Sequence, residues 1–169
     1  PSDLSAAPIA LIGMPGGGKS TVGRHLSRRL HLPFDDSDVV FERRIGRSIR
    51  AYFETEGEDR FRAIEANVLA GLVAAGPGVI ATGGGIVVRA GNRELLRSST
   101  TCIYLHSTPE ELFRRLRHDT KRPLLQVADP LARLRELYAQ RDPLYRQSAQ
   151  FVIETGRPSV PSTRPLLSA

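Results

Sequence analysis

Short, solidly apolar runs alternate along this chain with longer stretches in which apolar residues recur every three or four positions. Ile9-Ala10-Leu11-Ile12 is apolar throughout, the pattern of a strand covered on both faces in a parallel sheet. Beyond a glycine-rich loop, Val22, Leu26 and Leu30 are spaced by four and predict one buried stripe on a helix. His31-Leu32-Pro33-Phe34 runs into Asp35-Asp36-Ser37-Asp38, read as a short strand that ends in acids, and Val39 to Arg44 read as a helix that stops at Gly46. Ser48 is placed to cap another short helix. Gly57 divides it from a longer one, in which Phe61, Ile64, Val68 and Leu72 form the apolar stripe and Gly76-Pro77-Gly78 ends it.

Val79-Ile80-Ala81-Thr82 is the next buried strand, closed by Gly83-Gly84-Gly85, and a helical turn over Asn92 to Arg97 leads to a strand over Thr101 to Leu105. Thr108-Pro109-Glu110-Glu111 carries an N-cap threonine, proline at the first helical position and glutamate at the third, so Leu112, Phe113 and Leu116 continue a helix. The polar stretch His118 to Pro123 breaks the pattern and predicts a lid over about residues 118–128, after which Asp129-Pro130 opens a helix carrying Leu131, Leu134 and Leu137. Phe151-Val152-Ile153 reads as the last strand, and residues 1–7 and 158–169 as flexible or peripheral ends. Strands alternating with helices at this spacing predict a parallel sheet with helices on both faces, an α/β fold forming one domain over residues 1–169.

The loop after the first strand is Gly13-Met14-Pro15-Gly16-Gly17-Gly18-Lys19-Ser20-Thr21, which satisfies the P-loop pattern in its expected strand-to-helix setting. Glycines let the backbone wrap a polyphosphate with its N–H groups inward, the helix N-terminus adds positive potential, Lys19 reaches the terminal phosphates and Ser20 the Mg²⁺. Phosphoryl transfer also needs a group that orients or deprotonates the acceptor hydroxyl. Asp36 and Asp38, two apart at a strand end, are expected to point the same way with Asp35 opposite, one serving Mg²⁺ and the other the acceptor. The strand that ends in Thr82-Gly83 lacks the carboxylate that many P-loop enzymes place there, which narrows the class to small-molecule kinases and leaves the metal to Ser20, Asp36, nucleotide and water. Arg62 and Arg141 suit an anionic acceptor, since a guanidinium grips a carboxylate through two parallel bonds. Arg122, in the lid, is placed to neutralise charge on the transferring group as closure excludes water.

Composition changes this picture little. A net charge of +6 raises the question of nucleic acid, but the basic residues gather at Arg43 to Arg50 and Arg114 to Arg122 with few aromatics between them to stack bases, so small phosphorylated ligands explain them better. No apolar run approaches membrane-spanning length, and the first residues have neither the basic start nor the apolar core of a signal peptide. The single cysteine, Cys102, lies in a strand-like run and reads as a buried thiol. We expect a cytoplasmic protein that binds neither nucleic acid nor membrane.

Taken in order, the P-loop, Asp36-Ser37-Asp38, Gly46-Arg47-Ser48-Ile49, Phe61-Arg62 with Ile64-Glu65, Gly83-Gly84-Gly85, Arg122-Pro123-Leu124-Leu125 and Arg141 to Tyr145 make the chain resemble the shikimate kinase family over roughly residues 8 to 157. The resemblance implies a three-layer, nucleoside-monophosphate-kinase-like P-loop fold. Its sheet would have five parallel strands, accompanied by a substrate-binding helical segment and a lid. It implies transfer of the γ-phosphoryl of ATP to the 3-hydroxyl of shikimate by a monomer, with Asp38, Lys19 and Arg122 as catalytic residues. Gly16, Gly17, Gly18, Lys19, Ser20 and Thr21 would then bind phosphates, Ser20 and Asp36 would support Mg²⁺, and Arg115 and Arg157 would lie on the adenine side. Arg62 and Arg141 would hold the shikimate carboxylate, beside Gly83, Gly84 and Gly85. Two rival readings share the fold: a kinase for another hydroxy acid such as gluconate, which needs no Arg62–Arg141 pair around Asp38, and a non-catalytic ligand sensor, which could dispense with Asp38 and Arg122.

Overall fold

Ile9–Ile12 (β1), Phe34–Asp36 (β2), Val79–Ala81 (β3), Thr101–His106 (β4) and Phe151–Glu154 (β5) pair in parallel in the spatial order β2-β3-β1-β4-β5. This is the arrangement in a computed structural model that describes residues 7–117 and 127–155. Arg122, Arg157, all but the last two residues of the expected lid and the tail from residue 158 lie outside those residues. Central β1 aligns Ile9 with Val79 on one side and with Thr101 on the other. The chain passes from β3 to β4 across β1, so a crevice opens at the carboxyl end of β1, where parallel sheets bind ligands.

Seven helices accompany the sheet among the described residues: Lys19–Leu30 (α1), Ser37–Ile45 (α2), Ile49–Glu56 (α3), Glu58–Ala74 (α4), Ala90–Ser99 (α5), Pro109–Leu116 (α6) and Pro130–Ser148 (α7). Strand alternation sorts the core into two layers. Ala10, Ile12, Cys102 and Tyr104 point into a cluster with Leu69, Leu96, Leu112, Leu134 and Tyr145, whereas Leu11, Leu105 and Ile153 face the opposite side with Val22 and Leu26. The expected α/β sandwich is therefore present, with α1 on one face and α4 to α7 on the other. A third, separate cluster of Phe41, Tyr52, Phe61 and Val68 joins α2, α3 and α4 into the helical segment beside the site.

Local chemistry accounts for the element ends. Ser48 accepts a hydrogen bond from Ala51 N–H at the start of α3, and Thr108 and Glu111 close a reciprocal capping box on α6. Three expectations change. Leu30 is exposed at the end of α1, although Val22 and Leu26 of the same stripe pack on the sheet beside the buried Gly23 and Ser27, and a Cβ on Gly23 would stand 2.6 Å from the Phe34 ring. The turn over Asn92 to Arg97 is a full helix, α5. Helix α2 begins at Ser37 rather than Val39, since Asp36 caps it by accepting from Asp38 and Val39 N–H. Helix α7, for which the pattern set no end, runs through Pro143, which lies on an exposed side where the loss of one backbone bond is tolerated.

Candidate active site

The P-loop leaves β1 through glycines placed where a side chain would clash or strain the backbone. At Gly13 (φ 154°) a Cβ would stand 2.7 Å from Leu105 O, and Gly18 (φ 86°) caps α1 from the left-handed region. Lys19, buried at the start of α1, folds back over the loop and donates from Nζ to Gly13 O at 2.6 Å and Met14 O at 3.0 Å. Around it lies a cleft of about 570 Å³ walled by Pro15 to Thr21, Asp36, Asp38, Thr82, Gly83, Gly84, Arg115 and Leu116. A second groove of about 470 Å³, between α2, α3 and α4, contains no acid and no P-loop residue.

Asp36 and Asp38 both reach this cleft, by a route other than strand alternation. Asp36 is the last residue of β2 and the N-cap of α2, while Asp38 stands in the first turn of that helix. Ser20 Oγ donates to Asp36 Oδ2 at 2.5 Å, which joins the two expected metal-supporting groups across the cleft. Two hard oxygen donors suit Mg²⁺, and among the described residues no cluster of three acidic, histidine or cysteine side chains offers a complete cage, so nucleotide oxygens and water would have to supply the rest. Asp35 is exposed and lies off the cleft wall. Although Asp38 is open to solvent along one side, its carboxyl is crowded: a Cβ on Gly83 would stand 2.6 Å from Oδ1. Desolvation by this crowding, with the Asp36 charge second and Lys19 pulling the other way, pushes its pKa up to about 6.

The second glycine cluster begins where β3 ends and forms the wall facing Asp38. Its glycines serve close approach: a Cβ on Gly84 would stand 2.8 Å from the Pro15 ring, and one on Gly85 2.4 Å from Arg62 Nη1. Arg62 is buried on α4, where Nη1 donates to Glu65 Oε1 at 2.9 Å and to Gly85 O at 3.1 Å. Its Nε lies 3.6 Å from Glu58 Oε2 and is, among the described residues, the one buried side-chain polar atom without a hydrogen-bond partner. Burial raises the pKa of Glu65, and the neighbouring charges of Arg62 and then Arg141 oppose the rise. Arg141 also sits beside the Tyr145 hydroxyl, one turn on along α7. The structure therefore brings Arg62 and Arg141 together around Glu65, behind Gly84 and Gly85 and outside the wall of the P-loop cleft itself.

On the far side of the P-loop, Arg115 donates to Gly16 O at 3.1 Å, Ser107 Oγ at 3.1 Å and Thr155 O at 3.2 Å, so it is fixed between the loop and the end of β5. Arg122 and Arg157 lie outside the described residues. Sequence reasoning assigned no role to Ser37, Glu65 or Tyr145. The signal for Tyr145 was its i+4 spacing from Arg141 within the Arg141 to Tyr145 segment.

The comparisons with known proteins agree with one another. A family model described as shikimate kinase matches residues 15–164. A shikimate kinase of Paracidovorax citrulli is 60% identical over 151 residues, covering 88% of this chain and 82% of its own. The solved shikimate kinase of Acinetobacter baumannii in complex with shikimate has a TM-score of 0.87 at 43% identity, covering 97% of this chain and 90% of its own. A gluconokinase from Sinorhizobium meliloti, at 19% identity and a TM-score of 0.63 over 97% of this chain and 91% of its own, shares the fold alone.

Proposed function

The chain belongs to the shikimate kinase family, and from that membership we infer that it transfers the γ-phosphoryl of ATP to the 3-hydroxyl of shikimate, giving shikimate 3-phosphate and ADP. The observation that carries the reading is the meeting of Lys19 and Asp38 in one cleft, with the buried Arg62 behind the glycine wall. In the reaction the 3-hydroxyl oxygen forms a bond to the γ-phosphorus as the bond from that phosphorus to the ADP oxygen breaks. Asp38 takes the hydroxyl proton. A carboxylate with a pKa near 6 is still ionised at neutral pH and is a stronger base than an ordinary one, which suits this task.

Lys19 and the N–H groups of Gly16 to Thr21 are proposed to hold the phosphates, and Arg115 the adenine side together with Arg157. Phosphates entering the loop would draw Lys19 Nζ from the carbonyls of Gly13 and Met14, to which it donates. Ser20 and Asp36 would hold Mg²⁺, which when bound neutralises charge on the phosphate oxygens. Arg62, buried behind the glycine wall, and Arg141 would grip the shikimate carboxylate through charge-assisted bonds, with Gly83, Gly84 and Gly85 shaping the wall. Arg122 would cover the transferring group as the lid residues 118–128 exclude water. On this reading the enzyme works as a monomer in the cytoplasm on small molecules, away from nucleic acid and membrane; no helix among the described residues is long and apolar enough to cross one. ADP release measured side by side with shikimate, gluconate and nucleoside monophosphates tests it: shikimate is expected to be the preferred acceptor, and preference for either of the others would overturn the assignment.

A further inference from the structure

The loop Gly83-Gly84-Gly85 has no side chains with which to pack, so its position depends on whatever grips its peptide groups. Each glycine is gripped by a different element. Gly83 N–H donates to Ser37 Oγ at 3.1 Å, Tyr145 O–H donates to Gly84 O at 2.6 Å, and Arg62 Nη1 donates to Gly85 O. Arg62 already has a place in the acceptor site. The other two hydroxyls do not.

We propose that Ser37 and Tyr145 are positioning residues that clamp the glycine loop between the turn carrying Asp38 and the helix carrying Arg141, and so fix the floor on which the acceptor lies. This rests on the acceptor site assigned above. Ser37 is the middle residue of Asp36-Ser37-Asp38 and is 4% exposed, so its hydroxyl is directed inward, at the loop, from the same helical turn that presents the base. Tyr145 is fully buried, and its ring packs on Tyr104 with centroids 4.8 Å apart. A phenylalanine would fill that space equally well. The phenol differs only in offering the hydroxyl that meets Gly84 and Arg141, and burial, against the pull of Arg141, pushes its pKa up to about 12, so it remains a donor throughout the working pH range. With both hydroxyls in place, the gap between Asp38 and the arginine pair is set by two buried hydrogen bonds to backbone. Without them, the bound acceptor must order a loose loop, which weakens acceptor binding and leaves the P-loop untouched.

Ser37→Ala and Tyr145→Phe, each made in the full chain, delete one hydroxyl apiece. Each is expected to raise KM for shikimate about tenfold while KM for ATP stays within about twofold, because an uncompensated buried carbonyl or N–H costs roughly that factor at one substrate only. Amide hydrogen exchange in the segment from Gly83 to Val88 is expected to quicken about tenfold in both, and Ser37→Thr to restore exchange and KM together. A shikimate KM unchanged in both variants, a parallel rise in both KM values, or unaltered exchange in this segment would overturn the clamp. Faster exchange in the variants of an enzyme whose wild type does not phosphorylate shikimate would support the clamp and overturn the acceptor assignment instead.

Discussion

Ser20, the residue after the P-loop lysine, donates its hydroxyl hydrogen to Asp36, the cap of α2, at 2.5 Å. The bond links the end of the phosphate loop to the turn that carries Asp38, and the same carboxylate, through its other oxygen, accepts from Asp38 N–H at 2.9 Å. Asp36 therefore has three duties: it caps a helix, presents an oxygen where a metal is expected, and raises the pKa of Asp38 by its charge.

Those duties separate on substitution. Asp36→Asn keeps an N-cap oxygen, so its melting temperature is expected to stay near that of the wild type, whereas Asp36→Ala should lose about 1 kcal/mol. Both variants are expected to need about tenfold more Mg²⁺ for half-maximal turnover, and in both the acid limb of the pH profile should move to lower pH because a like charge beside Asp38 has gone. Magnesium titration and pH profiles of turnover check these outcomes. An unaltered magnesium requirement would remove Asp36 from the metal shell.

For Asp38 the expectation is an acid limb in kcat/KM near pH 6, and a loss of at least about 10²-fold in turnover in Asp38→Asn with ATP affinity nearly unchanged. Stability should move the other way. Because the folded-state pKa lies above the ordinary 3.8, the folded protein holds more protons than the unfolded chain between those values, so this group's contribution declines as pH rises from about 4 to about 6 and remains unfavourable above that. Asp38→Asn is thus expected to melt higher than the wild type at about pH 7.5 and to show no such gain at about pH 3.5, as thermal unfolding at the two pH values will report.

Arg62 and Glu65 form a buried pair, and their removal has different consequences. Arg62→Ala should weaken shikimate binding by about 1.5–3 kcal/mol, the loss of a charge-assisted contact, and should also destabilise the fold by leaving Glu65 without its main partner. Arg141→Ala removes a half-buried guanidinium that acts on Glu65 less than Arg62 does, so the same order of affinity loss is expected with less effect on melting. Isothermal titration with shikimate, paired with thermal unfolding, separates the two terms. Unchanged affinity in both variants would take the carboxylate clamp out of the account.

How legible the site was depended on how locally each feature is encoded. The run Ile9 to Ile12 and the nine residues from Gly13 carry their strand and loop in their own composition, and the structure places both where the pattern predicts. The acidic pair was found for an incomplete reason. An acid two residues before another reads equally well as strand alternation or as a helix cap, and the choice between them rests on the Ser20 partner, sixteen residues away in sequence. On α1 the apolar period found Val22 and Leu26, which pack on the sheet, but not the buried Lys19, Gly23 and Ser27 beside them, which are not apolar side chains. Tyr145 was named within the Arg141 to Tyr145 segment but given no role, because its bond to Gly84 O spans sixty-one residues and exists only once α7 has docked beside the glycine loop. The grip of Arg62 on Gly85 spans twenty-three residues and exists only once α4 has docked beside the end of β3.

The most direct test of the central claim is phosphorus NMR of a mixture of the wild-type enzyme, ATP, Mg²⁺ and shikimate. We predict a new phosphomonoester resonance that couples to the proton at C3 of shikimate and grows in step with ADP, and that is nearly abolished when Asp38→Asn replaces the wild type. ADP accumulating with inorganic phosphate in place of the ester, or an ester forming as quickly with Asp38→Asn, would contradict transfer to an alcohol held between Lys19 and Asp38.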